Sequence, residues 1–223
     1  MKNLIISLAL LTLLSSLCFA STPVALTLKT KGEIELLRGG DQTAISDGAP
    51  LINQDKLISG DESFAMIKFV DDGANMKLFA NSILTINADK VDDKLNKSMF
   101  LQVGNAFSKV NKGKGEYKIE TPTTVASVKG TEGFVFVDEN GNTTVITLQG
   151  VFDLLNKLTG SSISVSAGMT GTSSSDGSTD VHKTEGIDPE WLEGLEGDSN
   201  GDVLRINLMN DDGQTKVIEV ELE

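Results

Sequence analysis

The stretch that decides the fold is VASVKGTEGFVFV, residues 125–137, in which the polar segment Lys129–Thr131 separates two apolar runs. In the second run, Phe134 and Phe136 alternate with two valines. Alternate residues of a β-strand point to opposite faces of a sheet, so this run predicts a central strand that is covered on both sides. Gly130 and Gly133 allow backbone angles and close approaches that residues with a Cβ resist. We therefore interpret the interruption as a sharp corner between strands.

The chain around this corner, from Val24 to about Val165, is a series of short β-type runs broken by Gly, Asn and Asp. Its apolar residues alternate or form brief continuous runs, and no long amphipathic helical period is present. This pattern predicts an all-β fold, either an elongated sandwich or a solenoid-like stack of many short strands, because periodicity does not reveal strand order. Three segments rich in Asp, Asn and Gly predict hairpins: residues 69–79, 136–148 and 208–220.

The first twenty residues have the pattern of a secretory signal peptide, with Lys2, an apolar stretch over residues 4–17 and a small-residue end at Ala20. The apolar stretch is shorter than the roughly 18 to 20 residues that span a bilayer as a helix. We therefore expect residues 1–20 to be removed and the mature chain to be exported, periplasmic or extracellular, without a membrane span. Cleavage there also removes Cys18, the one cysteine, so no disulfide is expected.

Composition divides the rest of the chain into three parts. These are a β-domain over residues 24–168, a linker rich in Ser, Thr and Gly over residues 169–187, and an acidic tail over residues 188–223. In the tail, Asp188 followed by Pro189 is typical of a helix start and predicts a short helix. The third predicted hairpin follows it, and we expect this hairpin to pack on another part of the chain because an isolated hairpin is not stable.

The chain is acidic, with 19 Lys and Arg residues against 32 Asp and Glu residues and a net charge of −13. The segment from Glu185 to Glu223 holds 12 acidic and 2 basic residues, so −10 of the charge lies there. A surface this negative repels phosphate backbones, which argues against nucleic acid as a partner.

Residues that usually carry catalysis or bind metals are few. His182 is the one histidine and lies in the predicted linker, where we expect it to be solvated. Without a mature cysteine, Cys-His catalysis and thiolate zinc sites are excluded. Residues 198–202, DSNGD, begin like a calcium loop, but Val203 stands where Gly is required and Met209 where a bidentate Glu belongs. We interpret this segment as an acidic turn, with weak calcium binding left open. The sequence therefore predicts no catalytic residue, no metal site and no cofactor.

Residues 109–118, KVNKGKGEYK, gather four lysines around two glycines and a tyrosine. A solvated hairpin loop is the ordinary interpretation. The alternatives are a site for an anionic polymer such as an acidic glycan, or a dock for the acidic tail. The sole tryptophan of the chain either anchors a partner or covers the end of the β-domain. The candidate contact residues are Lys109, Lys112, Lys114, Tyr117, Lys118 and Trp191.

TPTTVASVKGTEGFVFV, residues 121–137, resembles the TP...AxVRGTxFxV signature of FecR-like domains, which are named for the ferric citrate regulator. The resemblance extends from Gly32 to Gly168. Upstream, residues 51–78 resemble the GD turn of the family with its following strand, and downstream, residues 145–155 resemble its VxVxxGxVxV element. The signature residues, which we interpret as structural, are Thr121, Pro122, Val125, Val128, Lys129, Gly130, Thr131, Gly150 and Gly168.

The resemblance implies an all-β, elongated domain outside the cytoplasm, with roles in sensing or protein contact and no known chemistry. Signalling members of the family also carry a cytoplasmic anti-sigma segment and a membrane span before this domain, and we expect this chain to lack both. The leading hypothesis is a non-enzymatic, exported domain that contacts an envelope protein or glycan. The alternative is a periplasmic ligand-sensing module that signals through a separate membrane partner, and a carbohydrate-active enzyme comes third.

Overall fold

The computed structural model describes residues 22–71, 74–91, 94–112 and 115–185, together with the backbone of two further strands at residues 203–209 and 215–221. These residues form strands and turns only, so the predicted all-β class is confirmed. The predicted signal peptide and the predicted short helix at Asp188 lie outside the described residues.

The described residues form nineteen strands, numbered in chain order. They are β1 (Ala25–Lys31), β2 (Ile34–Arg38), β3 (Asp41–Ala44), β4 (Pro50–Leu51), β5 (Lys56–Ser59), β6 (Phe64–Phe69), β7 (Asn75–Leu78), β8 (Ile83–Val91), β9 (Lys94–Lys109), β10 (Tyr117–Glu120), β11 (Thr124–Val128), β12 (Glu132–Val137), β13 (Thr143–Gln149), β14 (Val151–Asn156), β15 (Ser162–Ser166), β16 (Met169–Ser173), β17 (Thr179–Lys183), β18 (Val203–Met209) and β19 (Thr215–Glu221).

Hydrogen bonding joins β1 to β17 into one continuous sheet that is folded into two layers. In spatial order, layer A consists of β4, β1, β6, β7, the second half of β9, β12, β13, β16 and β17. Layer B consists of β3, β2, β5, β8, the first half of β9, β10, β11, β14 and β15. Neighbouring strands of the two layers run antiparallel, except that β10 runs parallel to β9.

Strand β9 joins the layers because its 16 residues are long enough to serve both. Its first half pairs with β8 and β10 in layer B, and its second half pairs with β7 and β12 in layer A. The chain then returns to layer B, where β10 lies beside the first half of β9. The lysine-rich segment 109–118 is therefore a crossover between layers, and the ordinary interpretation of it as a hairpin loop is wrong.

One hydrophobic core lies between the layers and takes side chains from both. In β6 of layer A, Ala65, Ile67 and Phe69 point inward and are at most 1% exposed. In the half of β9 that belongs to layer B, Met99 and Leu101 are both fully buried in the same core. Alternation on each strand with a shared interior is the arrangement of a sandwich, the first of the two expected architectures.

The three predicted hairpins are confirmed as backbone pairings. Residues 69–79 run from the last residue of β6 through β7, and residues 136–148 contain the ends of β12 and β13 that meet at the turn. Strand β12 lies between β9 and β13, so its predicted central position is also confirmed. The third hairpin pairs β18 with β19 in a separate two-stranded sheet.

The predicted linker over residues 169–187 is wrong for most of its length, because β16 and β17 form there at the edge of layer A. Its hydroxyl groups do not all face solvent: Thr124 Oγ1 donates to Ser173 Oγ at 2.8 Å, and both residues are fully buried. Threonine is a good strand former, and β13 supplies ladder partners that composition does not reveal. His182 lies on β17, with Nδ1 2.9 Å from Asp180 Oδ2.

Candidate functional site on the outer face of layer A

The corner that follows β11 is built around Thr131, which is 2% exposed. Its Oγ1 donates a hydrogen bond to the carbonyl oxygen of Val151 at 2.8 Å, and its carbonyl oxygen accepts one from the amide of Val110 at 3.0 Å. Gly130 has a φ of +62°, which disfavours any residue with a Cβ, and a Cβ there would also collide with the side chain of Lys112. These contacts tie the ends of β9, β12 and β14 together, which is a structural role.

A second hydroxyl network holds the other end of β11. Thr121 Oγ1 accepts a hydrogen bond from the amide of Thr124 at 2.9 Å and lies 2.7 Å from Thr143 Oγ1. Pro122 is exposed in the turn between Thr121 and Thr124. Proline has no N–H to donate to a sheet, and none is needed at this position. The other signature residues are Val125 and Val128 on β11, exposed Lys129, and the positive-φ glycines Gly150 and Gly168.

An open depression of about 170 Å³ lies beside the corner. Lys109, Lys112 and Glu132 are among its lining residues, and Lys109 Nζ lies 3.6 Å from Glu132 Oε2. Small-molecule sites usually enclose about 300–1,000 Å³. The depression is smaller than that range, and one of its two lysines already faces a carboxylate, so it is a poor candidate for a ligand site.

Tyr117 is a core residue, and the prediction that it belongs to a contact surface is wrong. It is 3% exposed, and its hydroxyl lies 2.9 Å from Ser108 Oγ. Its ring meets the ring of Phe69 edge-on, with the two centroids 6.0 Å apart. Alternation along β10 places Tyr117 and Ile119 together on the inner side of layer B.

The lysines of the predicted contact surface are also separated. Lys109 lies two residues after Phe107 and points outward from layer A. Lys118 points outward from layer B, on the opposite side of the molecule, and its Nζ lies 2.7 Å from Glu116 Oε2. Lys112 is exposed beside the corner. The two other predicted contact residues, Lys114 and Trp191, lie outside the described residues.

A different surface, on the outer side of layer A, carries an apolar patch. Its side chains come from the residue that follows β7 and from β9, β12 and β13, and they point away from the core between the layers. We call this patch the aromatic face; it consists of Phe79, Phe107, Phe134, Phe136, Ile146 and Leu148.

Phe134 is the centre of the aromatic face. Its ring centroid lies 5.2 Å from that of Phe107, 5.9 Å from that of Phe136 and 6.2 Å from that of Phe79. Separations in this range are favourable for aromatic pairs. Phe134 is 1% exposed, and Phe107 and Ile146 are 7% and 8% exposed. The remaining three members are half-buried.

Three lysines lie on the β1 and β7 side of the aromatic face. Lys77 Nζ is 4.5 Å from the ring centroid of Phe64 and 5.2 Å from that of Phe79, within the range of cation–π attraction. Burial lowers the pKa of the Lys77 ammonium group, and the positive charges of Lys29 and Lys31 lower it further. The surface therefore combines a hydrocarbon centre with a crowded positive edge.

The strand register aligns these side chains in one row across layer A. The row starts at the lysines of the first strands, passes through the rings and ends on the polar edge strand β17. Its members are Lys29, Met66, Lys77, Phe107, Phe134, Ile146, Thr170 and His182.

The aromatic face can make hydrophobic contacts at its centre and attract negative charge at its lysine edge. It therefore suits an apolar partner that carries negative charge. In the parts of the chain that the structure describes, no group of three or more His, Cys, Asp or Glu residues is placed to hold a metal ion. No helix among the described residues is long and apolar enough to cross a membrane.

The alternation in β12 already placed Phe134 and Phe136 on one side of a strand, and that side is the aromatic face. The other members were missed because the register between strands is not readable from one sequence. One usable signal was present: Val145 and Ile146 are consecutive apolar residues in β13, which indicates that this strand is also covered on both sides.

A sandwich of two mainly antiparallel layers with a tightly bonded corner and an apolar outer face defines an all-β domain. Residues 55–151 match the family described as FecR protein. The matched residues run from the turn before β5 to the first residue of β14, so they include the corner and the aromatic face. This match confirms the resemblance to FecR-like domains seen in the sequence.

The fold is similar to two crystal structures, each of a candidate anti-sigma factor from Parabacteroides distasonis ATCC 8503. The structure at 2.50 Å resolution has a TM-score of 0.53 and 14% identity over 66% of this chain and 68% of that chain. The structure at 1.65 Å resolution has a TM-score of 0.53 and 15% identity over 65% of this chain and 68% of that chain. Likeness at this identity shows a shared fold. Comparison with curated proteins finds no match.

Proposed function

We propose that this chain is an exported, non-enzymatic FecR-domain module that acts in regulation by contacting another protein of the cell envelope. The aromatic face is its contact surface, and this face is the observation that carries the proposal. Centres of protein interfaces are enriched in aromatic residues and depleted of charge, and a few buried aromatic side chains usually supply most of the affinity. A cluster of four phenylalanines on the outside of a sandwich fits that description.

Export is supported by the signal-peptide pattern of residues 1–20. A regulatory role is supported by the FecR domain and by the candidate anti-sigma factors that share the fold. A role outside catalysis fits the corner, where the side chain of Thr131 is already bonded within the protein.

A polypeptide partner is preferred to a glycan because of the chemistry of the aromatic face. Sugars carry a hydroxyl group on most carbons, and each buried hydroxyl needs a hydrogen-bonding partner. The centre of the face presents hydrocarbon groups around Phe134, and charged groups lie at its edges, on Lys77 and on the ion pair of Lys109 with Glu132. A peptide segment with apolar residues in its centre and acidic residues on one side complements this pattern.

The alternative, a sensing module that signals through a separate membrane partner, is favoured by one observation: the related folds are candidate anti-sigma factors. Both hypotheses require a protein contact. They differ in whether a ligand changes that contact.

The test is site-specific photo-crosslinking in the cells that naturally produce the chain. Benzoylphenylalanine replaces the half-buried Phe136 on the aromatic face or, as the matched control, the half-buried Ser127 on the outer face of layer B. We expect adducts with an envelope protein from position 136 but not from position 127. Adduct yield should fall when Lys29 and Lys31 are both changed to Glu. Equal adducts from both positions, or none from position 136, would overturn the proposal.

A further inference from the structure

Two side chains on the outer side of layer A are more buried than their neighbours in the sheet can explain. Side chains stand roughly perpendicular to a sheet, so neighbours on the same face shield the flanks of a side chain but not its outer end. Phe134 and Lys77 both point outward, yet they are 1% and 7% exposed. On the outer face of layer B, Val151 and Leu155 are 41% and 42% exposed, as expected for side chains that end in solvent.

The strands of the sandwich do not supply this cover, because β1 to β17 all lie within the two layers. The other two described strands, β18 and β19, form a separate two-stranded sheet in which Leu204 pairs with Val220 and Ile206 with Ile218. In a ribbon of this register, strand alternation places these four residues on one side. A lone hairpin is marginal in water, so an apolar side of this kind needs a surface to pack against.

The tail leaves the sandwich close to the aromatic face. His182 lies in the same cross-strand row as Phe134, three strands away, which is about 14 Å at about 4.8 Å per strand. Residues 184–202 connect β17 to β18, and an extended chain of that length spans roughly 60 Å at about 3.3 Å per residue. The connection is therefore long enough for the hairpin to reach the face.

Charge favours the same contact. The segment from Glu185 to Glu223 holds 12 acidic and 2 basic residues. The lysine edge of the face is crowded, since the charges of Lys29 and Lys31 lower the pKa of Lys77. Negative charge brought beside these ammonium groups relieves their mutual repulsion.

We propose that the C-terminal hairpin of strands β18 and β19 packs in cis on the aromatic face, with its apolar side over Phe134, and that an envelope partner engages the face by displacing the hairpin. The hairpin then occupies the contact surface until a partner competes for it. The displacement step rests on the proposed function, whereas the packing of the hairpin does not.

The packing is tested with the purified full chain carrying benzoylphenylalanine at position 136. We expect irradiation to join this position to residues 203–221 within one molecule, as mapped by mass spectrometry of peptides. Ile206→Asp should lower the yield at least about tenfold, because it places a charge against the rings. Asn207→Asp adds the same charge to the other side of β18 and should leave the yield unchanged. Position 148, in place of Leu148, serves as a second crosslinker site if benzoylphenylalanine at position 136 unfolds the domain.

Three results would overturn the packing: a product that joins two copies of the chain, a product that maps outside residues 203–221, and equal yields from the two aspartate variants. The displacement step predicts that Ile206→Asp raises the yield of intermolecular adducts in cells. An intramolecular product without cellular adducts would leave the packing standing and overturn the proposed function. Cellular adducts without an intramolecular product would overturn the packing and leave the proposed function standing.

Discussion

The outer faces of the two layers are built on the same fold but carry different chemistry. Across layer A, one row of paired positions contains three phenylalanine or isoleucine side chains between lysines and a polar edge. Across layer B, the corresponding row is polar throughout the strands that it crosses: Asn87, Ser98, Lys118, Ser127, Asp153 and Ser164. Strand alternation and inward packing are alike in the two layers, so the fold does not require this difference.

The outer face of layer B therefore has the composition of a solvated surface, and the outer face of layer A has that of a covered one. Hydroxyl and charged groups on the outside of layer B keep their hydration at little cost. Burying one large apolar side chain is worth about 1.5–3 kcal/mol, so a cluster of them on layer A represents substantial free energy once it is covered. The outside of layer B carries fewer apolar residues: Val125 pairs with Leu155, which is 42% exposed, and Phe100 lies in the same row beyond Glu120.

The largest expected effect comes from Gly133, because the comparison depends on two layers packed closely enough to have inner and outer faces. A Cβ at this position would collide with the carbonyl oxygen of Ile146 and lie 2.8 Å from Cε2 of Phe152 in layer B. We expect Gly133→Ala to remove most of the roughly 5–15 kcal/mol that stabilises a typical domain. Circular dichroism and chemical denaturation should show no cooperative transition.

Gly60→Ala is the matched control for this substitution. The nearest atom to its added Cβ is 3.4 Å away, on Glu33, which is ordinary contact. A Gly133→Ala variant as stable as Gly60→Ala would show that the layers are less closely packed than the structure indicates.

The second prediction compares the two rows directly. Phe134→Ala should lower the free energy of unfolding by about 3–5 kcal/mol, the usual cost of truncating a buried phenylalanine. Ser127→Ala, at the half-buried position in the row of layer B, should change it by less than about 0.5 kcal/mol. Urea denaturation of the full chain measures both. Similar small losses for both variants would mean that the aromatic face is not covered in solution.

The third prediction uses the lysine edge of layer A. The pKa of Lys77 is lowered from its ordinary value of 10.5, chiefly by burial. The folded chain therefore releases this proton at lower pH than the unfolded chain, and in that interval stability rises as pH increases towards 10.5. Lys77→Met cannot titrate, so this part of the rise should disappear from denaturation midpoints measured between neutral and alkaline pH.

Lys118→Met, on the outer face of layer B, serves as the control because it leaves Lys77 in place. Its rise in stability with pH should match that of the parent chain. If stability rises equally with pH in the parent chain, Lys77→Met and Lys118→Met, then Lys77 is not covered.

Much of the sandwich was readable from local patterns. The alternation of Phe134 and Phe136 with valines predicted a central strand, and turn residues around Gly73 and Gly141 predicted two of its hairpins. Such signals depend on neighbours in the sequence, and the strand period alone makes them visible.

The rest depends on pairings between distant residues. Residues 169–183 resemble a linker in composition, yet Thr170 and Ser173 become strand residues because β13 offers them backbone partners. Lys97 is charged but points into the core, where its Nζ donates to Asp71 Oδ2 at 2.7 Å above the ring of Phe69. The aromatic face likewise exists only once register places Phe107 beside Phe134. No local pattern specifies these contacts.

The smallest expected effect lies on layer B and concerns Glu120. Ser98 Oγ donates to Glu120 Oε1 at 2.7 Å, and this bond is the main reason that the pKa of Glu120 is lowered from its ordinary value of 4.5, with Lys157 adding to the effect. A lowered carboxyl pKa contributes stability above pH 4.5 that is lost as pH falls through the folded value. Glu120→Gln should therefore lose less stability on acidification than the parent chain, by under about 1 kcal/mol because the pair is partly exposed. Ser98→Ala should behave similarly, since it removes the main cause of the shift. If either variant instead lost stability on the scale of Phe134→Ala, the polar row of layer B would be a covered surface too, and the contrast between the two faces would fail.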